Sequence, residues 1–369
     1  MRCFAATTAR LGAGLVLVWL LSTNVARAEP YLAVANGLKC ASCHVNPSGG
    51  GKRNVFGMTF ARTQLATRTV LRDDDDAGWN SSVNKWLGIG GDYRGGYRDI
   101  DLNNGPDFST TTVSKSTVYA EVKAIPSLLT FYFDQQVSPG GSRERERYVL
   151  VTPSNGRYTV KAGQFFLPFG LRLQDDATFV RQNSGINFDT PDDGVEFGLE
   201  LPKWSAQLAA TNGTAGAGSA SGKDQLSLSA SYVLPRWRVG ASLNRNRDPL
   251  GDRNMHALFA GFNTGPIAWL AELDFITDDL PGGGSNDIYA TLIEGNWRFA
   301  KGHNLKVGYE FLDPTDNANG DDQERFSVVW EHSPIQLLQA RAGIRLYRGT
   351  VALPFTNRDE LFAEAHVYF

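Results

Sequence analysis

The chain has 369 residues, with 36 Lys and Arg against 39 Asp and Glu and a formal net charge of −3. So even a balance gives no electrostatic argument for nucleic acid. Glycine at 39 residues, aromatics at 11% and only three Cys and three Met fit an all-β chain better than a helical one.

The first 28 residues read as an export leader. Arg2 and Arg10 supply a basic start, Leu11 to Leu21 is a short apolar run, and Ala26-Arg27-Ala28 is an A-x-A cleavage pattern. A retained anchor is the alternative, but the run falls short of the ~18 apolar residues that span a bilayer. No later stretch reaches that length either. Cys3 precedes the run, so it is not placed as a lipoprotein cysteine. The expectation is an exported chain that starts at Glu29, whose cysteines are then Cys40 and Cys43 alone.

Cys40-Ala41-Ser42-Cys43-His44 follows. Two thiols two residues apart with an adjacent histidine form the attachment pattern of c-type haem: each thiol adds across one vinyl group, and His44 becomes the axial ligand. The alternatives are a Cys40–Cys43 disulfide or half of a zinc site, but zinc needs four ligands and no second CxxC is present. The expected cofactor is one covalent haem c. For the sixth iron position the one nearby methionine is Met58, which as a thioether ligand would raise the potential; simple packing beside Phe56 and Phe60 is the other reading. His366 is the reserve ligand, with a hydrogen-bonded rim histidine as its alternative. Lys52 and Arg53 either pair with haem propionates or are solvated. Gly49-Gly50-Gly51 and the acidic run Asp73 to Asp76 make residues 29–84 polar and flexible. A segment so poor in apolar residues does not enclose a haem unaided, so a neighbouring wall must complete the pocket.

From about Lys85 onward apolar residues recur every second position. Leu87, Ile89, Tyr93 and Tyr97 oppose Asp92, Arg94 and Arg98; Val118, Ala120 and Val122 oppose Tyr119, Glu121 and Lys123. The pattern predicts about sixteen strands, near 85–98, 113–125, 128–138, 145–152, 157–167, 193–201, 204–212, 225–234, 237–246, 255–264, 267–277, 288–299, 303–312, 323–332, 335–346 and 359–369. Short turns alternate with long polar loops, among them 99–112, 168–192 and 347–358. Short turns on one rim and long loops on the other mark an antiparallel transmembrane β-barrel of the outer membrane. The last strand puts Leu361, Ala363, Ala365, Val367 and Phe369 on one face, and the chain stops on that aromatic. With an even strand count, residues 29–84 lie on the periplasmic side or in the lumen, and alternation turns His366 inward. The 168–192 loop is expected to fold into the pore. Asp175, Asp176, Asp278, Asp279, Asp321 and Asp322 are expected on extracellular loops, as solvated acids or as a place for metal cations. Arg143 to Arg147 is expected as a solvated rim.

A leader, one CxxCH early in the mature chain and a barrel ending in Phe together resemble the fused monohaem cytochrome–porins. The residues that carry the likeness are Cys40, Cys43, His44, the Phe56-Gly57-Met58-Thr59-Phe60 stretch and Phe369, while Asn46 to Asn54 departs from the iron-oxidase pattern. The resemblance implies electron transfer across the outer membrane through one haem, with periplasmic c-type cytochromes as partners, outer-membrane lipid around the barrel, and extracellular metal ions such as iron as electron donor or acceptor. The alternative function is a porin or solute channel whose haem segment is a plug, sensor or structural element. A peroxidase would need an open iron site and a distal base, and no histidine follows His44 within the haem segment.

Overall fold

The computed structural model describes residues 29–70, 78–153, 155–186, 190–213, 224–248, 251–280 and 282–369. The expected leader and the Asp73–Asp76 run lie outside the described residues. Sixteen strands follow the N-terminal segment. The first five are β1 (Leu87–Leu102), β2 (Phe108–Ile125), β3 (Leu129–Ser138), β4 (Arg143–Val151) and β5 (Tyr158–Phe165). After the longest loop come β6 (Asp192–Glu200), β7 (Trp204–Thr211), β8 (Asp224–Val233), β9 (Trp237–Arg247) and β10 (Arg253–Asn263). The wall is completed by β11 (Ile267–Asp279), β12 (Ser285–Ala300), β13 (His303–Asp313), β14 (Gln323–Ile335), β15 (Leu338–Arg348) and β16 (Arg358–Tyr368). Each strand pairs antiparallel with the next. β16 returns to β1 from Asp92↔Tyr368 to Leu102↔Arg358, so the sheet closes as a 16-stranded barrel without edges.

The period-two pattern sorts the faces as expected. Ile89, Val118, Phe131, Leu243, Leu258 and Val307 are exposed on the outside, while Thr117, Lys161, Glu196, Asn244, Glu272 and Arg325 are buried inside. An apolar exterior around a polar interior is the inverse of a soluble protein and fits a barrel solvated by lipid. Trp86, Trp204, Trp237, Trp269, Trp297 and Trp330 are exposed near the short-turn ends of their strands, forming an interfacial belt there. Tyr97, Phe133, Phe275, Tyr289, Tyr309 and Phe326 stand near the opposite ends.

The loop sorting is less regular than the pattern suggested. The 103–107 and 139–142 links are five and four residues long, shorter than the six-residue 152–157 turn on the other rim. β1 and β2 continue as a ladder through Asp99↔Ser109 to Ile100↔Phe108, so the expected 99–112 loop is mostly strand. Beyond the lipid a strand has no need of apolar residues, and alternation loses its signal.

Residues 29–70 lie in the lumen at the short-turn end. α1 (Pro30–Ala35) packs Tyr31, Leu32 and Val34 against Phe259, Ala268 and Leu270 of the wall. Gly261 makes that contact possible: a Cβ there would come within 2.3 Å of Val34. α2 (Val55–Phe60) runs into a π turn over Ala61–Leu65, and Thr67 and Arg68 then bond to the backbone of Ser333 and Pro334 at the rim. From the other side, residues 166–186 of the loop after β5 fold into the lumen, carrying α3 (Phe179–Ser184). Its Leu171, Leu173, Phe179 and Val180 join the α1 residues in one apolar cluster. Among the described residues no helix is long and apolar enough to cross a membrane.

Candidate cofactor site

The cysteine motif is shaped by local hydrogen bonds. Cys40–Ser42 forms one 3₁₀ turn, and the amides of Cys43 and His44 both bond to the Cys40 carbonyl at 3.1 Å. A 3₁₀ turn brings residues three apart over one another, which places Cys40 and Cys43 on one side. His44 then pairs with Arg53, and Val45 bonds Lys52, as a small hairpin. The 46–51 loop between them is the triple-glycine stretch. Gly49, Gly50 and Gly51 all have positive φ, so the stretch expected to be flexible is a defined turn instead. Gly51 lies so close to the wall that a Cβ would meet the Tyr132 hydroxyl at 2.3 Å.

Asn54 ties the motif to α2, a role that composition did not reveal. Its Oδ1 caps the helix by accepting from Gly57 N at 2.9 Å, and its Nδ2 donates to the Ser42 carbonyl at 3.1 Å. Gly57 lets the helix lie against the motif, since a Cβ there would fall 2.3 Å from the Cys43 carbonyl. Met58 is thereby turned into the site.

One large cavity opens in front of these residues. It encloses about 1510 Å³ not filled by protein atoms, part of it open to solvent, and Cys40, Cys43, His44, Met58 and His366 all line it. The sequence separates His366 from His44 by most of the barrel, and closure of β16 on β1 brings them to one space. Met58 is 1% exposed and packs with Ala61 and Tyr368. His366 is also buried, but both ring nitrogens are engaged: Nε2 is 3.0 Å from Asp92 Oδ2, and Nδ1 is 3.3 Å from Gln339 Oε1 and Gln174 Nε2. His303 and His332 stack on each other at the rim, and His256 is exposed.

The donor set fits a covalent haem. Burial, with Cys40 next, pushes the Cys43 thiol up to about 12. Among the described residues no group of three or more His, Cys, Asp or Glu stands where it could hold a metal ion, which argues against half of a zinc site. Among the described residues, the cavity is lined by Lys39, Arg53, Arg94, Lys115, Arg145, Arg172 and Arg238 but only Glu29 and Asp92 as acids, a surplus of cations suited to an anionic group. The constriction loop completes the lining with Pro168 to Gln174, so wall, loop and N-terminal segment all contribute.

Several expectations need correction. Lys52 is neither solvated nor turned into the cavity: its side chain is 2% exposed and its Nζ lies 3.1 Å from Glu121 Oε2. Arg53, by contrast, does line the cavity, lying over the Tyr368 ring at 4.1 Å. Asp175 is no surface acid, because it reaches across the lumen to Arg325 and Arg345, each at 3.3 Å. Burial alone would raise its pKa, but the guanidiniums of Arg345 and Arg325 hold the carboxyl well below the usual range. Asp176 pairs with Arg181 of the same loop. Among the described residues, the acidic loops do not gather three or more ligands for a metal ion. Arg145 and Glu146 are buried rather than solvated, because a bulge opposite Asp134 and Gln135 turns both inward.

No known protein-family model matches the chain, and no curated protein matches it. Solved structures do. An anion-selective porin from Comamonas acidovorans superposes with a TM-score of 0.62 at 10% identity, covering 77% of this chain and 99% of that one. A loop-deletion form of OmpT, an outer membrane protein of Vibrio cholerae, gives 0.62 at 14% identity over 77% and 99%. OprB of Pseudomonas putida gives 0.61 at 10% identity over 77% and 94%. The likeness is one of fold: a porin-like, outer-membrane β-barrel.

Proposed function

We propose that this protein is an outer-membrane barrel that holds one covalent c-type haem in its lumen and passes electrons between the periplasm and the cell exterior. One observation carries the reading: Cys40, Cys43 and His44 face a cavity that Met58 and His366 also line. Cys40 and Cys43 would form the thioether links, and His44 and Met58 would hold the iron; Asp92 and Gln339 already engage the His366 ring. Arg53, Arg94, Lys115 and Arg172 are placed to take the propionates. When bound, the haem supplies a one-electron iron couple, and a Met ligand raises its potential. The chain's own part is to exclude water with α1, α2 and residues 166–186 and to keep the site anchored to the wall. Periplasmic c-type cytochromes are the partners on one side, and an extracellular metal ion such as iron is the electron donor or acceptor on the other.

Replacing Cys43 with Ala tests the cofactor. Haem staining on a denaturing gel should vanish while the barrel keeps its heat-dependent gel mobility; undiminished staining would refute the assignment. A second reading is a channel for small anions with the N-terminal segment as plug. The fold shared with porins, one of them anion-selective, and the cationic cavity favour it. Proteoliposomes separate the two: the conduit moves electrons to an enclosed oxidant without solute leakage, and the channel admits chloride without electron flux.

A further inference from the structure

A second, smaller cavity lies between α1 and strands β12 to β15, lined among others by Glu29, Tyr31, Arg298, Asn304 and Glu331. Its charges do not balance. Three carboxylates, Glu29, Glu294 and Glu331, share two cations. Lys306 lies 3.6 Å from Glu294 and 3.5 Å from Glu331, and Arg341 lies 3.6 Å from Glu331 but is also claimed by Glu364 at 3.1 Å. Arg298 also lines the cavity, and among the described residues it makes no ion pair with any of the three. Among the described residues, Asn304 Oδ1 accepts no hydrogen bond, and Glu331 Oε1 has only the long ion-pair contacts of Lys306 at 3.5 Å and Arg341 at 3.6 Å, on side chains 5% and 2% exposed. Burial, with Glu331 next, pushes the Glu29 carboxyl up to about 7. Buried acids facing one another are costly until a cation joins them.

We propose that the missing cation is the α-ammonium of Glu29, created when the leader is cut after Ala28, and that this cavity is its binding site. The proposal rests on the export reading and is independent of the haem. An ammonium brings three donors and one charge. It gives Asn304 Oδ1 a donor, adds a hydrogen bond to Glu331 Oε1 beside its two long ion-pair contacts, and brings a third cation to Glu29, Glu294 and Glu331. In the uncut chain the same nitrogen is a neutral amide with one N–H, so it offers neither the charge nor the donors. Cleavage therefore supplies the contact that fixes the start of α1 against Asn304 and Glu331. The segment seats fully only after processing.

The test uses the exported protein in detergent. Its start is read by intact mass and N-terminal sequencing, and its α-amine is labelled with an amine-reactive ester near neutral pH. The expected start is Glu29 with an open amine, labelled at least about tenfold more slowly in the folded than in the unfolded chain, as a one-unit rise in its pKa requires. Glu331→Gln should speed labelling several-fold, because the charge contact and not mere burial protects the amine. Inserting one Ala between Ala28 and Glu29 displaces the ammonium by about 3.5 Å and should bring labelling to the unfolded rate. A different start, a blocked amine, equal labelling of folded and unfolded wild type, or Glu331→Gln protection equal to wild type would each overturn the proposal. Haem staining should be unchanged throughout, which keeps this outcome separate from the cofactor assignment.

Discussion

Asn46→Ala should loosen the N-terminal segment from the wall without unfolding the barrel. Asn46 is fully buried; its Oδ1 accepts from Lys161 Nζ at 2.9 Å, and its Nδ2 donates to Glu146 Oε1 at 3.0 Å. Hydrogen bonds to charged partners contribute about 1.5–3 kcal/mol each. Both partners keep other contacts, Lys161 with Glu196 at 2.8 Å and Glu146 with the Phe166 amide at 3.2 Å. The loss should therefore fall near the low end of the sum, about 3 kcal/mol. At about 1.4 kcal/mol per tenfold, the undocked population rises roughly a hundredfold. Trypsin reads that population directly, because Lys52 is buried in the docked state and Lys52 and Arg53 become cleavable when the hairpin leaves the wall. The cleavage rate at this pair should rise roughly a hundredfold by that arithmetic, while heat-dependent gel mobility stays normal because the Lys161–Glu196 pair within the wall remains. Unchanged cleavage would show that the network does not hold the segment. A melted barrel would show that Asn46 supports the wall itself.

Acid should release the constriction loop. The Asp175 carboxyl, held below its usual range when folded, contributes stability above about pH 4 that is lost as pH falls toward its folded value. Labelling of a cysteine placed at Asn183 should rise below that pH, and Asp175→Asn should show the raised labelling at neutral pH; flat profiles in both would remove Asp175 from the latch. Met58→Ala should lower the reduction potential and abolish the weak red-edge band of a thioether-ligated ferric haem, whereas His366→Ala should leave that band in place. The reverse result would make His366 the ligand and Met58 a packing residue. Deleting Phe369 removes the paired bonds to Gly91 at 3.0 and 3.1 Å that extend the β16–β1 seam. The assembled, heat-modifiable fraction should fall, and full assembly would show that the seam closes without it.

The barrel was legible because its rule is local. Period two needs only neighbours, and it set Tyr119 and Glu121 on the face opposite Val118 and Val122 and turned His366 inward. The cysteine motif was legible for the same reason: three residues over one turn carry the whole pattern. Partner choice was not legible. Lys52 and Glu121 are 69 positions apart, and Asp175 and Arg345 are 170 apart, so nothing in either neighbourhood tells which buried charge meets which. The Arg143–Arg147 stretch failed for another reason. A strict alternation of charge predicts one sign on each face, but one extra residue opposite Asp134 resets the register and turns two successive charges into the lumen. Asn54 escaped notice because its side chain serves backbone groups, and backbone acceptors have no sequence signature.

The site and the barrel are also one folding problem. The described N-terminal segment has too few apolar residues to bury a cofactor alone. Its Tyr31, Leu32 and Val34 find their core only in Phe259, Ala268 and Leu270 of the wall and in Leu171, Leu173 and Phe179 of the inward loop. The loop in turn is held by polar contacts to the wall, with Leu171 N donating to Glu272 at 2.7 Å and Phe179 N to Glu310 at 2.6 Å. A barrel without residues 29–70 would leave that shared core open to water, and the segment without the barrel would expose the same apolar faces. Selection on the CxxCH site therefore acts on residues from β1, β2, β4, β10 and β16 as well. The short motif is local, and the pocket it needs is spread around the whole wall.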